Sequence, residues 1–428
     1  MQNILDYVEW RGDLSFERDV FNEVDNLILS ALAYLDFEGI VPFLPEGDIP
    51  VLSEIVDKVM DLVDTESPRY QDPFFHQIPE LFAKAAKSVR FGGIGLSCYV
   101  NRIDYDKSEQ FSALVFSLGG GLYYIAFRGT DDSLAGWKED FQMSFKDEVQ
   151  AQRDAAAYLK SILPYFEGRF LMGGHSKGGN LAVYAAASMD DDIRERIEAV
   201  YNNDGPGFQN GFIRSRGYRS MLGRISTIVP KSSIVGMLLE HKEEYKVVNS
   251  DEKGIMQHNV FSWEVRGKNF VYHDHLEKSS INLNRAVKGW LNNLPVEQRE
   301  QFVEELFNII YATGAMTVSD LYKERRTAAE EMIRSYKNID AESRKFLKKT
   351  LFTFFRESQK VLKASIETDI DAFKLKRRHK EKTEAGNEQG TEKTVKNKTR
   401  AEETATDVAG TKQEEAGSDN ISTQKAQD

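Results

Sequence analysis

The run Phe170-Leu171-Met172-Gly173-Gly174-His175-Ser176-Lys177-Gly178-Gly179-Asn180-Leu181-Ala182 constrains this chain more than any other segment. It holds G-x-S-x-G as Gly174, Ser176 and Gly178. A short apolar strand precedes it, and an alanine-rich helix from Asn180 to Ser188 follows. A serine on so tight a strand-to-helix turn projects its hydroxyl outward from a strained backbone. The residues two before and two after must be small, because strand and helix pass close together there. The helix start aims free N–H groups and a positive dipole end at charge developing on a bound carbonyl oxygen. Ser176 is therefore a candidate nucleophile. The segment lacks the G-x-x-x-x-G-K-[ST] spacing of a phosphate loop.

The surroundings predict where this turn sits. Residues 1–90 read as mostly helical: Phe21, Val24, Leu27, Ile28, Ala31, Leu32 and Leu35 recur at helical spacing. Val51, Ile55, Val59, Met60 and Val63 repeat the pattern, as do Leu81, Phe82, Ala85 and Val89. Gln110–Ser117 and Leu122–Phe127 flank Gly119-Gly120-Gly121 and predict a hairpin. A helical pattern over 146–163, a strand at Arg169–Met172, the helix after the serine and a strand at Ile197–Asn202 then alternate. Such alternation implies a mostly parallel sheet with helices on its faces, an α/β fold. Residues 280–373 return to helix. The organisation expected is a helical extension (1–90), an α/β core (91–279), a C-terminal helical region (280–373), and a basic cluster with a charged tail (374–428). From Glu381 onward there is no Leu, Phe, Tyr, Trp, Met or Cys. That stretch cannot bury enough apolar area to order itself.

Composition excludes some functions. The 428 residues carry a formal net charge of −12, which argues against nucleic acid as the main partner. Cys98 stands alone, so no internal disulfide forms, as suits a reducing compartment. The N-terminus has no basic segment followed by an apolar run, and no stretch is long and apolar enough to span a bilayer. A cytoplasmic location is the default expectation. No H-E-x-x-H, C-x-x-C or EF-hand spacing is present, so neither metal nor cofactor is expected.

A second motif turns these readings into a resemblance. Phe127-Arg128-Gly129-Thr130, followed by Trp137 and Asp140, resembles the F-R-G-[ST]…W…D segment of the class 3 (fungal-type) triacylglycerol lipases. Gly174-His175-Ser176 resembles their G-H-S-[LK]-G-G. Order and spacing agree over about 95 to 265. The whole chain, from Tyr7-Val8-Glu9-Trp10-Arg11-Gly12-Asp13-Leu14-Ser15-Phe16 through the elbow, resembles more closely a family of uncharacterised bacterial lipase-like proteins, which brings no substrate with it. The resemblance implies an α/β-hydrolase fold. In that fold one oxyanion donor is the backbone N–H after the nucleophile, here Lys177. The other comes from a loop after an earlier strand, where Thr130 stands.

The fold's chain order is serine, acid, histidine. His76 precedes the serine, His175 lies inside the elbow, and His379 borders the tail. His241, His258, His273 and His275 remain. His258, in a loop before the β-prone Val260–Val265, is the expected base. Class 3 lipases take their acid from a D-x-V-P-like segment. The matching stretch here, Ile225–Ser233, has no aspartate. Asp204, in Asn202-Asn203-Asp204-Gly205-Pro206 at the end of the strand that follows the elbow helix, is the expected substitute, with Asp251 in reserve. Ser232–Leu239 either lines an acyl pocket or packs as a core turn. The C-terminal aromatics Phe346, Phe352, Phe354 and Phe355 are expected to pack on the protein rather than lie on an anionic membrane. These readings predict a serine hydrolase acting on a small-molecule or lipid ester. The alternative is a non-catalytic scaffold that keeps the fold and uses its helical flanks and tail for a partner. Oligomeric state is left open.

Overall fold

Alternate residues of the central strands take opposite sides, and each side meets its own helices. The computed structural model describes residues 1–354, 356, 357 and 359. The basic cluster and the charged tail lie outside the described residues, as does Phe355. Eight described strands form the main sheet: β1 (Gly95–Asp104), β2 (Glu109–Gly119), β3 (Leu122–Phe127), β4 (Arg169–His175), β5 (Ile197–Asn203), β6 (Ile225–Pro230), β7 (Tyr245–Val248) and, at the far edge, β10 (Tyr272–His273). They lie in the order β1-β2-β3-β4-β5-β6-β7-β10. β3 through β7 are parallel, and β1, β2 and β10 pair antiparallel. β8 (Val265–Arg266) and β9 (Asn269–Phe270) form a separate small ladder. The β2–β3 hairpin turns on Gly119, Gly120 and Gly121, all at positive φ, a conformation glycine adopts without Cβ strain.

On one side Leu114, Phe116, Tyr124, Ala126 and Leu171 join a core with the N-terminal helices α1 (Ile4–Arg11), α2 (Glu23–Leu32), α3 (Val56–Asp61) and α4 (Pro73–Lys87). On the other, Ala113, Val115, Ile125, Phe127, Phe170 and Met172 pack under α6 (Gln150–Ile162) and α7 (Lys177–Ala187), which follow α5 (Leu134–Gln142). Covering both faces is what a parallel sheet requires. Helix α2 is buried from Val24 to Leu32 and starts on a capping box in which Asn22 and Asp25 satisfy each other's backbone N–H. Its polar residues are paired. Asn26 Nδ2 donates to Asn203 Oδ1 at 2.9 Å, and Tyr124 Oη donates to Asn26 Oδ1 at 2.7 Å. Arg90 clasps the buried Asp25 and three backbone carbonyls of residues 14–20, tying that segment to helix α2.

The helix expected from Val51 to Val63 is interrupted. Val51 bridges to Gly95, and the N–H groups of Leu52 and Ser53 donate to Ile94 and Gly92 carbonyls. The bridge holds Val51 extended, at φ −99° and ψ 141°, so a helix cannot start there; a short 3-10 turn over Leu52–Glu54 forms instead, and α3 begins at Val56. Past the sheet, helices Lys278–Asn292 and Val296–Tyr311 build a smaller core of Phe302, Val303, Phe307, Ile309 and Leu347 with Phe145. Phe346 packs on it, Phe354 meets Trp290 edge-on, and Phe352 is exposed. No described helix is long and apolar enough to cross a membrane.

Candidate active site

β4 ends at His175 and α7 begins at Lys177, so Ser176 alone makes the turn, at φ 57° and ψ −134°. A non-glycine residue holds that backbone only where its surroundings fix it. Here they do: the Ser176 N–H donates to Asn203 O at 2.9 Å, and β4 is held on both sides by parallel neighbours. The glycines of the motif are steric necessities. A Cβ on Gly174 would lie 2.3 Å from the Gly178 carbonyl carbon, and one on Gly178 would lie 2.0 Å from Phe127 O.

The loop after β3 reaches the same point. A Cβ on Gly129 would lie 3.1 Å from Ser176 Cβ and 2.4 Å from His175 O, so Phe127-Arg128-Gly129-Thr130 runs directly beside the serine. Arg128 pairs with Asp131 at 2.9 Å, and Thr130 Oγ1 donates to Asp140 Oδ2 at 2.6 Å. The loop is pinned farther along, where Leu134 N–H donates to Met316 O and Val318 N–H to Asp132 O. Among the described residues, neither the Thr130 nor the Lys177 backbone N–H meets a protein acceptor. The Lys177 side chain turns away and is buried, its Nζ 2.9 Å from Glu139 Oε2.

Asp204 and His258 meet. His258 Nδ1 donates to Asp204 Oδ2 at 2.6 Å, leaving Nε2 as the free ring nitrogen. Asp204 is fully buried, and its other oxygen accepts from Ser233 Oγ and, at 3.2 Å, from the Gly236 N–H. Within Ser232–Leu239, which contains the 3-10 turn Val235–Met237, Ser233 and Gly236 thus hold the carboxylate. Asp251 is exposed and makes no bond to His258. The other histidines serve elsewhere: His241 pairs with Glu243 at 2.9 Å, while His273 and His275 are exposed near the sheet edge.

His175, whose place inside the elbow makes it a poor base, braces the site. Its ring lies 4.4 Å from that of His258. Its Nε2 donates to His258 O at 2.9 Å, and Tyr34 Oη lies 3.2 Å from its Nδ1. Burial, with the His258 charge beside it, pushes its pKa well below the ordinary imidazole value, so it stays neutral. Through this ring the elbow orients the backbone that carries His258. Among the described residues Ser176 Oγ has no hydrogen-bond partner, and neither does His258 Nε2. Catalytic hydrogen bonds are commonly long before substrate binds.

Two contributors escaped the sequence. Tyr34, just past α2, has no motif to mark it. Glu139 is an ordinary helix residue until folding places Lys177 against it. Asp140 was visible only as part of the F-R-G…W…D pattern. Desolvation pushes its carboxyl up to about 6, opposed by the Lys177 ammonium and the Thr130 hydrogen bond.

A family profile described as Mbeg1-like matches residues 85–308, the span that contains Thr130, Ser176, Lys177, Asp204 and His258. No curated protein matches. Among solved structures, the crystal structure of M37 lipase is similar at 15% identity and a TM-score of 0.31, over 51% of this chain and 70% of that one. A fungal lipase–inhibitor complex is similar at 16% identity and a TM-score of 0.28, over 37% of this chain and 67% of that one.

Proposed function

The chain belongs to the Mbeg1-like family, a lipase-like family, and we propose that it is a serine hydrolase cleaving a carboxylic ester through an acyl-enzyme on Ser176. The observation that carries this reading is the 2.6 Å bond from His258 Nδ1 to the buried Asp204 carboxylate, with the His258 ring against the elbow. That bond fixes the tautomer a general base needs, with Nε2 free to accept a proton.

The steps follow from these positions. Ser176 Oγ attacks the acyl carbonyl as its proton passes to His258 Nε2. The carbonyl oxygen becomes an oxyanion held by the Thr130 and Lys177 N–H groups. The intermediate collapses, the imidazolium returns its proton to the leaving alcohol, and the acyl group stays on Ser176. Water, deprotonated by His258, then releases the acid and restores the serine. Asp204 keeps its charge throughout and stabilises the imidazolium. Exposed Ile255 and Met256, on the turn that carries His258, and exposed Trp137 on α5 offer apolar edges suited to an acyl chain. They support a lipid ester over a small polar one.

The test is hydrolysis of p-nitrophenyl esters of short and long acyl chains by wild type and Ser176→Ala. Turnover by wild type, lost in Ser176→Ala, is the expected result. Equal hydrolysis by both proteins overturns the proposal, and no turnover of any chain length by folded wild type favours the scaffold.

A further inference from the structure

We propose that Lys177, Glu139 and Asp140 form a buried charge clamp that sets the spacing of the two oxyanion donors, with the side chains acting as positioning residues. The inference rests on the hydrolase reading above. The donors sit on separate elements: Lys177 N–H at the elbow, Thr130 N–H on the loop between β3 and α5. An oxyanion site needs such groups held to a fraction of an ångström, and no backbone hydrogen bond joins these two residues among the described contacts.

Helix α5 supplies the link. Asp140 Oδ2 accepts from Thr130 Oγ1 at 2.6 Å, which fixes one donor residue. The preceding residue, Glu139, accepts from Lys177 Nζ at 2.9 Å, which fixes the other. The same ammonium lies 4.0 Å from Asp140 Oδ1, a buried oxygen with no hydrogen-bond partner among the described residues. Glu139 cannot swing away. Its Oε1 accepts from Ala151 N–H at 2.8 Å and its Oε2 from Gln110 N–H at 3.3 Å. Lys177 Nζ also donates to Gln110 O at 3.0 Å. The position after the nucleophile thus holds one residue with two tasks: its N–H faces the reaction, and its ammonium locks that N–H to the opposite loop.

The choice of a lysine needs explaining. Its side chain is only 1% exposed, and burying a charge is costly unless the pairing is close to complete. An apolar side chain would fill the same space with no charge to desolvate. What it would lack is a directional tie to α5. The clamp is also sensitive to pH. Desolvation raises the Asp140 carboxyl to about 6, and of the charged groups acting on it, Lys177, Glu139 and His258, Lys177 acts most strongly and opposes that rise.

The decisive comparison is wild type against the neutral pair Lys177→Met/Glu139→Gln. Lys177→Met alone would strand a buried carboxylate and is the variant at risk of not folding. Thr130→Val is a second route: it keeps the backbone N–H and the branched shape but cuts the tie to Asp140. For both, kcat on a p-nitrophenyl ester should fall about 10–100-fold with KM within about twofold, the signature of lost transition-state stabilisation. In the double variant the acid limb of kcat/KM should also move to higher pH, because the lost Lys177 charge lowers Asp140 more than the lost Glu139 charge raises it. Thr130→Val with wild-type kcat, or a folded double variant with wild-type kcat and pH profile, overturns the clamp while leaving the hydrolase intact. A wild type that cleaves no ester and takes no fluorophosphonate removes both proposals.

Discussion

Replacing Asp204 by asparagine changes one atom's chemistry and leaves the volume intact. In the folded protein this carboxylate meets donors only: His258 Nδ1–H, Ser233 Oγ–H and Gly236 N–H. Asparagine offers one acceptor and one NH2, so one side must give way. With its amide nitrogen toward Ser233, the hydroxyl can turn to accept, but the Gly236 N–H faces another donor. A buried N–H left without an acceptor costs about 1–3 kcal/mol. With its amide nitrogen toward His258, Ser233 and Gly236 keep their acceptor, and the imidazole adopts the other tautomer, with Nε2 protonated. The second arrangement keeps more hydrogen bonds and should dominate. A ring protonated at Nε2 cannot accept the Ser176 proton, and the analogous change in a serine-protease triad costs about 10⁴ in kcat, or about 5.5 kcal/mol of barrier. We therefore expect kcat on p-nitrophenyl esters to fall about 10³–10⁴-fold in Asp204→Asn, with near-native circular dichroism and little change in KM. Asp251→Asn should match wild type. An Asp204→Asn enzyme within about tenfold of wild type, on the same scale, would refute the assignment of Asp204 as the orienting acid.

Two further outcomes follow from packing and charge. Gly178→Ala places a Cβ 2.0 Å from Phe127 O, a backbone atom that cannot turn aside; it should lower stability by more than about 4 kcal/mol in urea unfolding, and a stable, active variant would contradict the packing described for the elbow. Burial, with the Asp154 carboxylate beside it, pushes the Glu109 carboxyl up to about 7. The folded chain then holds that proton longer than the unfolded chain, so this group's contribution to stability falls as pH rises from the ordinary carboxylate range to about 7. Glu109→Gln should accordingly raise Tm more at pH 8 than at pH 5, and an equal change at both would contradict the assigned shift.

What the sequence revealed was whatever local sterics dictate. The elbow was legible because its glycines answer a clash between adjoining elements, and the β2–β3 hairpin because three glycines interrupt two β-prone runs. Chain order and the absence of an aspartate from Ile225–Ser233 point to His258 and Asp204, and the structure brings these two side chains into a hydrogen bond. Long-range hydrogen bonding hid the rest. The period of Val51–Val63 is helical, yet Leu52 and Ser53 give their N–H groups to the Gly92–Ile94 turn. The segment weighed as an acyl-pocket lining uses Ser233 and Gly236 to hold Asp204. Tyr34 reaches His175 across 141 residues of chain, a separation no local pattern encodes. The sequence marks Lys177 for its backbone alone; its side chain acquires meaning only where Glu139 folds against it.

In the proposed mechanism Ser176 is an activated nucleophile. Intact-mass analysis and peptide mapping after exposure to a fluorophosphonate test it most directly. One adduct per chain is expected, located on Ser176, absent in Ser176→Ala and formed far more slowly in His258→Ala. A chain shown to be folded by circular dichroism that takes no label, or takes it at another residue, would contradict it.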